Sequence, residues 1–256
     1  MPELHRRNLP RSTPDPGLGV PAADAARSGA QKPAGEKPAG ALASGPAGNG
    51  LAERLRAAIL GGELPPGSKL SEQALGESLG VSRNTLREAF AVLSAERIVT
   101  RIPNRGVFVA KPSRTDVAEM YRIRRILEPA ALLQGRQATV EAGLAAAVRQ
   151  GLDARGRNDI PGMAAANQQF HALVVGLAGS ARLDALMSHI QQEMRLVFHA
   201  MDSNPAFHAP FSSQNAEILA LWQAGQGGQA AEKLSNYLAA AQEQVLAAMP
   251  NESRGY

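Results

Sequence analysis

From Leu51 the chain falls into a helical rhythm: Leu51, Leu55, Ala58 and Ile59 share one face, and Gly61-Gly62 closes the segment. Pro65-Pro66-Gly67 forces a turn. Ser71 opens a short second helix, with Ala74, Leu75 and Leu79 expected inward, and Gly80 ends it. Ser82 has the chemistry of an N-cap for a third helix running to about Glu96, with Leu86, Ala89, Phe90 and Leu93 on its inner face. Two β-prone runs follow, 98–102 and 107–109, parted by the hairpin signal Pro103-Asn104-Arg105-Gly106. Three helices and then a hairpin predict a winged helix-turn-helix.

Beyond Ser113 the period stays helical. Segments are expected near 114–137, 140–151, 160–178, 181–201, 211–223 and 228–249, punctuated by Gly151, Pro161, Gly179, Asn204-Pro205, Gly225 and Pro250. The predicted fold class is therefore mainly α: an N-terminal winged helix-turn-helix domain, 51–112, followed by an all-α antiparallel helical bundle, 113–250. Residues 1–50 show no period. Rich in Pro, Ala and Gly, they can bury almost nothing, and they read as a disordered tail. Arg6, Arg7 and Arg11 leave open a sequence-independent contact with nucleic acid.

Composition narrows the classes. The absence of cysteine removes disulfides, thiolate zinc sites and cysteine nucleophiles, and fits a reducing cytoplasm. No run of about 18 apolar residues offers a membrane span, and no apolar run follows the early arginines as a secretory signal would require. Residues 51–112 carry nine Lys/Arg against six Asp/Glu, whereas 113–256 carry twelve against thirteen. A basic module joined to a near-neutral one fits a nucleic-acid reader attached to a domain with another task. An enzyme is the main competing class. No nucleophile elbow, phosphate loop or HExxH motif occurs, and the carboxylates of 113–256 are scattered, so no catalytic residues are assigned.

The run LSEQALGESLGVSRNTLREAFAVL, 70–93, carries the chemistry. Gly80 permits a tight turn, and Val81 plugs the space between the two helices it joins. The second helix opens with Ser82, Arg83, Asn84 and Thr85, and Arg87 lies one turn on. Short polar groups at a helix N-terminus suit phosphates. Exposed arginines on the same face can make paired hydrogen bonds to guanine. From LRAAILGGELPPGSKL through LGVSRNTLREAF to NRGVFV, the sequence resembles the DNA-binding domain of the GntR family of bacterial repressors. The resemblance implies that Arg83 and Arg87 read bases, and that Ser82, Asn84 and Thr85 hold phosphates or base edges. It implies too that Arg105 and Gly106 belong to a wing entering the minor groove, and that Gln73 stands where relatives place a basic phosphate contact. A homodimer on an inverted-repeat, double-stranded operator follows from one recognition helix per chain. One departure stands out: Arg97 occupies the position where the family ends its recognition helix with glycine, which predicts a strained or remodelled helix end.

The bundle resembles the FCD ligand-binding module in YRIRRILEP (121–129), NQQFHALVVGLAGSARL (167–183), ILALWQAG (218–225) and the closing helix. That module commonly holds a divalent metal through one Asp and three His beside a carboxylate effector. Here those positions are Asn167, His171, Asn215 and Tyr237. Amides and a phenol are poor substitutes for a carboxylate and imidazoles, so no metal or other cofactor is expected. The four could instead line a pocket that hydrogen-bonds a small-molecule effector, or sit satisfied within the core. Arg124 is implied to point into the pocket and grip an effector carboxylate, the alternative being a surface pair with Glu128 at i+4. His189, His199 and His208 form no ligand spacing. A bundle serving only oligomerisation, without an effector, remains the competing reading of this half. A nucleoid-type DNA protein would not need such a bundle.

Overall fold

The computed structural model describes residues 47–134, 138–200 and 205–249. The expected disordered tail and its arginines lie outside these residues except at the last few positions. There the first helix begins earlier than its apolar period, with α1 spanning Ala47–Leu60. Gly48 is buried in this added turn, where a Cβ would meet the Glu88 side chain at 3.0 Å.

Helices α2 (Glu72–Leu79) and α3 (Arg83–Ala95) are capped as their sequences require. Ser71 accepts from the Ala74 N–H and Ser82 from the Thr85 N–H, each satisfying a donor the helix cannot. Gly80 ends α2 at φ 66, a conformation glycine adopts without a Cβ penalty. Of the α2 residues expected inward, Leu75 and Leu79 are half-buried and Ala74 is exposed. At eight residues the helix is too short to turn a full face to the core. Leu86, Ala89, Phe90 and Leu93 of α3 are all fully buried, together with Leu51, Leu55 and Ile59 of α1.

The wing consists of β2 (Val99–Ile102) and β3 (Gly106–Val109), paired antiparallel with Ile102 opposite Gly106. Pro103 and Asn104 form the turn between them. Asn104 takes φ 60, and the Arg105 N–H closes back on the Ile102 carbonyl, the pattern Pro-Asn favours at the centre of a type II turn. A two-residue strand β1 (Lys69–Leu70) pairs with β3, giving the order β1-β3-β2. Such a strand is too short to show alternation in sequence.

The remaining helices are α4 (Arg114–Leu132), α5 (Ala138–Gly156), α6 (Ile160–Gly176), α7 (Ala181–Ala200), α8 (Pro205–Gln223) and α9 (Gly227–Ala248). All six were expected, but three boundaries differ: α4 closes at Leu132, with Leu133 as its C-cap, five residues short of its expected end. Gly151 does not end α5: it is buried mid-helix, where a Cβ would make ordinary contact, at 3.5–3.8 Å, with Ala166 of α6 and Ser212 of α8. Helix α8 starts at Pro205, six residues before its expected start, and runs through Pro210. Ser113 and Asp116 form a reciprocal capping box at the start of α4. The Trp222 indole N–H donates to the Leu132 carbonyl at its end. Arg114 donates to the carbonyls of Leu246 and Met249 at the end of α9, so α4 and α9 run antiparallel. No helix among the described residues is long and apolar enough to cross a membrane.

Candidate nucleic-acid interface and ligand cavity

The outer face of α3 presents Arg83, Asn84 and Arg87 to solvent at the end beside the wing. Ser82 and Thr85 are partly engaged with each other: their hydroxyls lie 2.9 Å apart, with Ser82 also capping the helix. The Asn84 amide nitrogen is 2.7 Å from Glu88, and that of Gln73 is 3.1 Å from Glu77. Arg87 donates from Nε to both carboxylate oxygens of Glu72, at 3.3 and 3.2 Å. On the wing, the Arg105 guanidinium lies 5.8 Å from the Phe108 ring centre, and Gly106 holds φ 112. A Cβ there would come within 3.4 Å of the Lys69 side chain. All eight residues singled out on this half are surface positions of α2, α3, their junction or the wing. Sequence reasoning missed three neighbours. Arg101 of β2 donates to the Arg87 carbonyl and ties wing to helix. Lys69 sits under the wing, and Glu72 holds Arg87. The acid in the first turn of α2 was the one available signal for Glu72.

The end of α3 keeps its normal form despite Arg97. The Arg97 N–H reaches the Ser94 carbonyl, and the Ile98 N–H the Leu93 carbonyl, a complete Schellman closure with Arg97 at φ 58 where glycine is usual. The expected strain is present, and the helix end is not remodelled.

Inside the bundle the second set of candidates converges. Arg124 and Glu128 are 6% and 0% exposed, one turn apart on α4, with Nε 2.6 Å from the carboxylate. Arg124 is therefore paired with Glu128, but not at the surface: it faces α6 and α9 because Glu128 is shared. The second Glu128 oxygen lies 2.6 Å from Nδ1 of His171 on α6, whose Nε2 is 3.0 Å from the Tyr237 hydroxyl of α9. That hydroxyl donates to Oδ1 of Asn167 at 3.0 Å, which also accepts from Asn215 of α8 at 2.8 Å. Arg124, Asn167, His171, Asn215 and Tyr237 thus join one network, whose centre, Glu128, had been read only as a pairing partner.

Its charge states follow from burial and neighbours. Burial opposes the Glu128 carboxylate, but Arg124 and His171 outweigh it and hold its pKa below the usual range. Burial likewise opposes the Arg124 charge, which Glu128 restores. Burial pushes His171 down, Arg124 adds to this, and Glu128 offsets only part. The imidazole is therefore neutral at pH 7. With its Nδ1–H directed at the carboxylate, Nε2 becomes an acceptor. The single Tyr237 proton then faces two acceptors, Nε2 and Asn167 Oδ1, and the buried Asn215 Oδ1 has no donor either, so the network is short of donors. Tyr237 itself is driven upward by burial and stays a phenol.

Arg124, Asn167, His171 and Tyr237 border a cavity of about 20 Å³, walled also by Ile190, Gln191, Met194 and Phe198 of α7. That is room for one water molecule. Nor does the donor set fit a divalent transition metal, which normally takes three or more protein ligands drawn from carboxylates, imidazoles and thiolates. One imidazole, two amides and a protonated phenol do not supply them.

Residues 48–109 match the family described as bacterial regulatory proteins, gntR family, and residues 119–240 match the FCD domain. The chain is 35% identical over 130 residues to an uncharacterised HTH-type transcriptional regulator in the TAR-I ttuE-ttuC' intergenic region of Agrobacterium vitis, covering 48% of this chain and 76% of that protein. It is 35% identical over 78 residues to the gluconate operon transcriptional repressor of Bacillus subtilis, covering 30% of this chain and 32% of that one. Among solved structures, the putative transcriptional regulator GntR from Rhodococcus sp. RHA1 superposes with a TM-score of 0.72 at 37% identity, covering 79% of this chain and 99% of that one.

Proposed function

The chain belongs to the GntR family of bacterial regulatory proteins, as a DNA-binding transcriptional regulator with an FCD domain, and from this we propose that its hold on an operator is set by a small molecule taken up in the α4–α9 bundle. Residues 51–112 are the DNA-binding domain and 113–250 the effector-binding and dimerisation domain. Arg83 and Arg87 read bases. Ser82, Asn84, Thr85 and Gln73 hold phosphates or base edges, and Arg105 and Gly106 place the wing against the minor groove. By analogy with the gluconate operon repressor it represses, acting in the bacterial cytoplasm on the nucleoid.

The observation that carries the effector reading is a buried polar network left short of donors beside a cavity of about 20 Å³. A small carboxylate bearing a hydroxyl or amine suits it. The carboxylate would take the terminal nitrogens of Arg124, and the hydroxyl or amine would supply the missing proton between His171 Nε2 and Asn167. At about 20 Å³ the cavity must open to admit such a molecule, and α7 is the wall that can transmit the change. Ile190, Gln191, Met194 and Phe198 line the cavity. On the other side of the same helix, between Met194 and Phe198, Leu196 is fully buried in the core of the DNA-binding half, and His199 Nε2 lies 2.7 Å from the Leu60 carbonyl of α1.

For dimerisation, Ile126 of α4 and its C-cap Leu133, seven residues apart, are 65% and 61% exposed, apolar side chains that a second copy would cover.

A panel of small hydroxy- and amino-carboxylates tests the effector reading by thermal shift. A member that binds the folded protein must raise its melting temperature by mass action. The same compound should weaken operator binding by the factor by which the operator weakens its own binding. Arg124→Lys, which keeps the charge but loses the fork, should remove this response and leave DNA binding intact. A response unchanged in that variant would contradict the role given to Arg124.

A further inference from the structure

Three carboxylates, Glu72, Glu77 and Glu88, bond residues of the proposed DNA face, and Glu72 touches the arginine read as a base contact. Glu72 is the first residue of α2, placed there by the Ser71 cap and favoured by the positive end of the helix. Its side chain crosses to α3 and accepts from Arg87 Nε at 3.3 and 3.2 Å. The pair is exposed, 63% for the Arg87 side chain and 31% for Glu72, so it adds little to folding. A carboxylate near a phosphate backbone also costs affinity for every DNA sequence, because it repels the charge that drives non-specific binding. Stability therefore gives Glu72 little to do there, and general affinity counts against it.

Its geometry fits another task. A guanidinium is planar, with Nε–H on one side and the two terminal nitrogens at the far end. With Nε on the Glu72 carboxylate, rotation of the plane is restrained and the terminal pair is left to face outward. That pair is the edge that matches guanine O6 and N7. On the other side the Arg87 carbonyl is held by Arg101 Nη2 at 3.3 Å, so backbone and head group are both anchored.

We propose that Glu72 is a specificity-determining residue of the DNA site, acting on Arg87 and not on the DNA itself. It presents the arginine's terminal nitrogens to a guanine, and it keeps the guanidinium from swinging onto the nearest phosphate where no guanine is present. Removing it frees Arg87 to bind any duplex. The inference rests on the reading of Arg87 as a base contact.

Selection from a randomised duplex pool tests it without a known operator, using the full chain and the variants Glu72→Ala, Glu72→Gln, Arg87→Ala and the Glu72→Ala/Arg87→Ala double. Glu72 is on the surface, so its substitution leaves the fold intact. The wild type should enrich a guanine at one base pair of each half-site, and Arg87→Ala should lose that preference. Glu72→Ala should relax the same base pair about tenfold and leave the others unchanged, the size expected for part of a bidentate contact. It should also bind unselected duplex more tightly than the wild type. Glu72→Gln should retain most of the preference, because its amide oxygen still accepts from Nε. In the Arg87→Ala background the Glu72 change should add nothing, as a double-mutant cycle requires of a residue acting through another. If Glu72→Ala keeps the wild-type preference while Arg87→Ala abolishes it, the proposal fails and the base-reading role of Arg87 stands. If Arg87→Ala leaves every position intact, both fail.

Discussion

Arg97 holds φ 58 at the end of α3, and the cost of that conformation to a residue with a Cβ is about 1–2 kcal/mol. The Schellman hydrogen bonds hold the backbone there whatever the side chain. Arg97→Gly should therefore raise stability by about 1 kcal/mol, or about 2–4 °C in melting temperature. Arg97→Ala should gain none of it. A calorimetric scan placing the glycine variant at or below the alanine variant would contradict this account. Buried ionisable groups make a second prediction. His171 is held neutral below its ordinary value. The unfolded chain therefore binds more protons as pH drops through about 6.5, and stability falls. Glu128, held below the carboxylate range, contributes stability above about pH 4.3 that is lost as pH falls through its folded value. Burial raises Glu193, which opposes this trend in part. Tyr121, pushed up to about 12 by burial, makes stability fall again above about pH 10. Urea midpoints followed by the fluorescence of Trp222 should show a plateau between these limits. His171→Gln should flatten the acid limb near pH 6, and an unaltered limb would remove His171 from the explanation. The cap at Ser82 was legible because it acts on a backbone group three residues away. Glu128 was not. An Arg at i and Glu at i+4 look the same in sequence on a wet or a dry face, and the partners that decide it are 43 residues away on α6 and beyond that on α9.

Among the elements, α7 belongs to two cores at once. Ile190 and Met194 pack in the bundle, whereas Leu196 is fully buried among the apolar residues of α1, α3 and the wing. This sharing was invisible in sequence, where the apolar positions of α7 mark only which sides are dry. Other misreadings have the same origin. Gly151 looked like a helix stop, and it is instead a contact surface for α6 and α8. The strand β1 has only two residues and exists because β3 pairs with it. Leu196→Ala should cost about 2–5 kcal/mol, the range for emptying a packed leucine site. Amide exchange should then quicken in α1 and α3 while the amides around the His171 network stay protected. Uniform loosening of both halves, or none in α1, would show that α7 does not join the two cores.

At the scale of the whole molecule, a reading helix with a wing is joined to a bundle whose polar centre is nearly filled. A single α3 contacts too few base pairs for useful selectivity, so two copies are required across an inverted repeat, with the exposed Ile126 and Leu133 between them. The division into a basic reader and a near-neutral bundle was legible from charge and period, since both are properties of long segments. Operator sequence and effector identity were not, because each is set by a few side chains whose orientation depends on the packed whole. The most direct measurement is an analytical-ultracentrifugation titration of a selected inverted-repeat duplex across a range of salt concentrations. The account predicts two chains per duplex and an affinity that falls steeply and linearly on a log–log plot, as several phosphate counterions are released. Arg83→Ala or Arg87→Ala should reduce the preference for the selected sequence over a scrambled one. A single bound chain, or an affinity indifferent to salt, would contradict it.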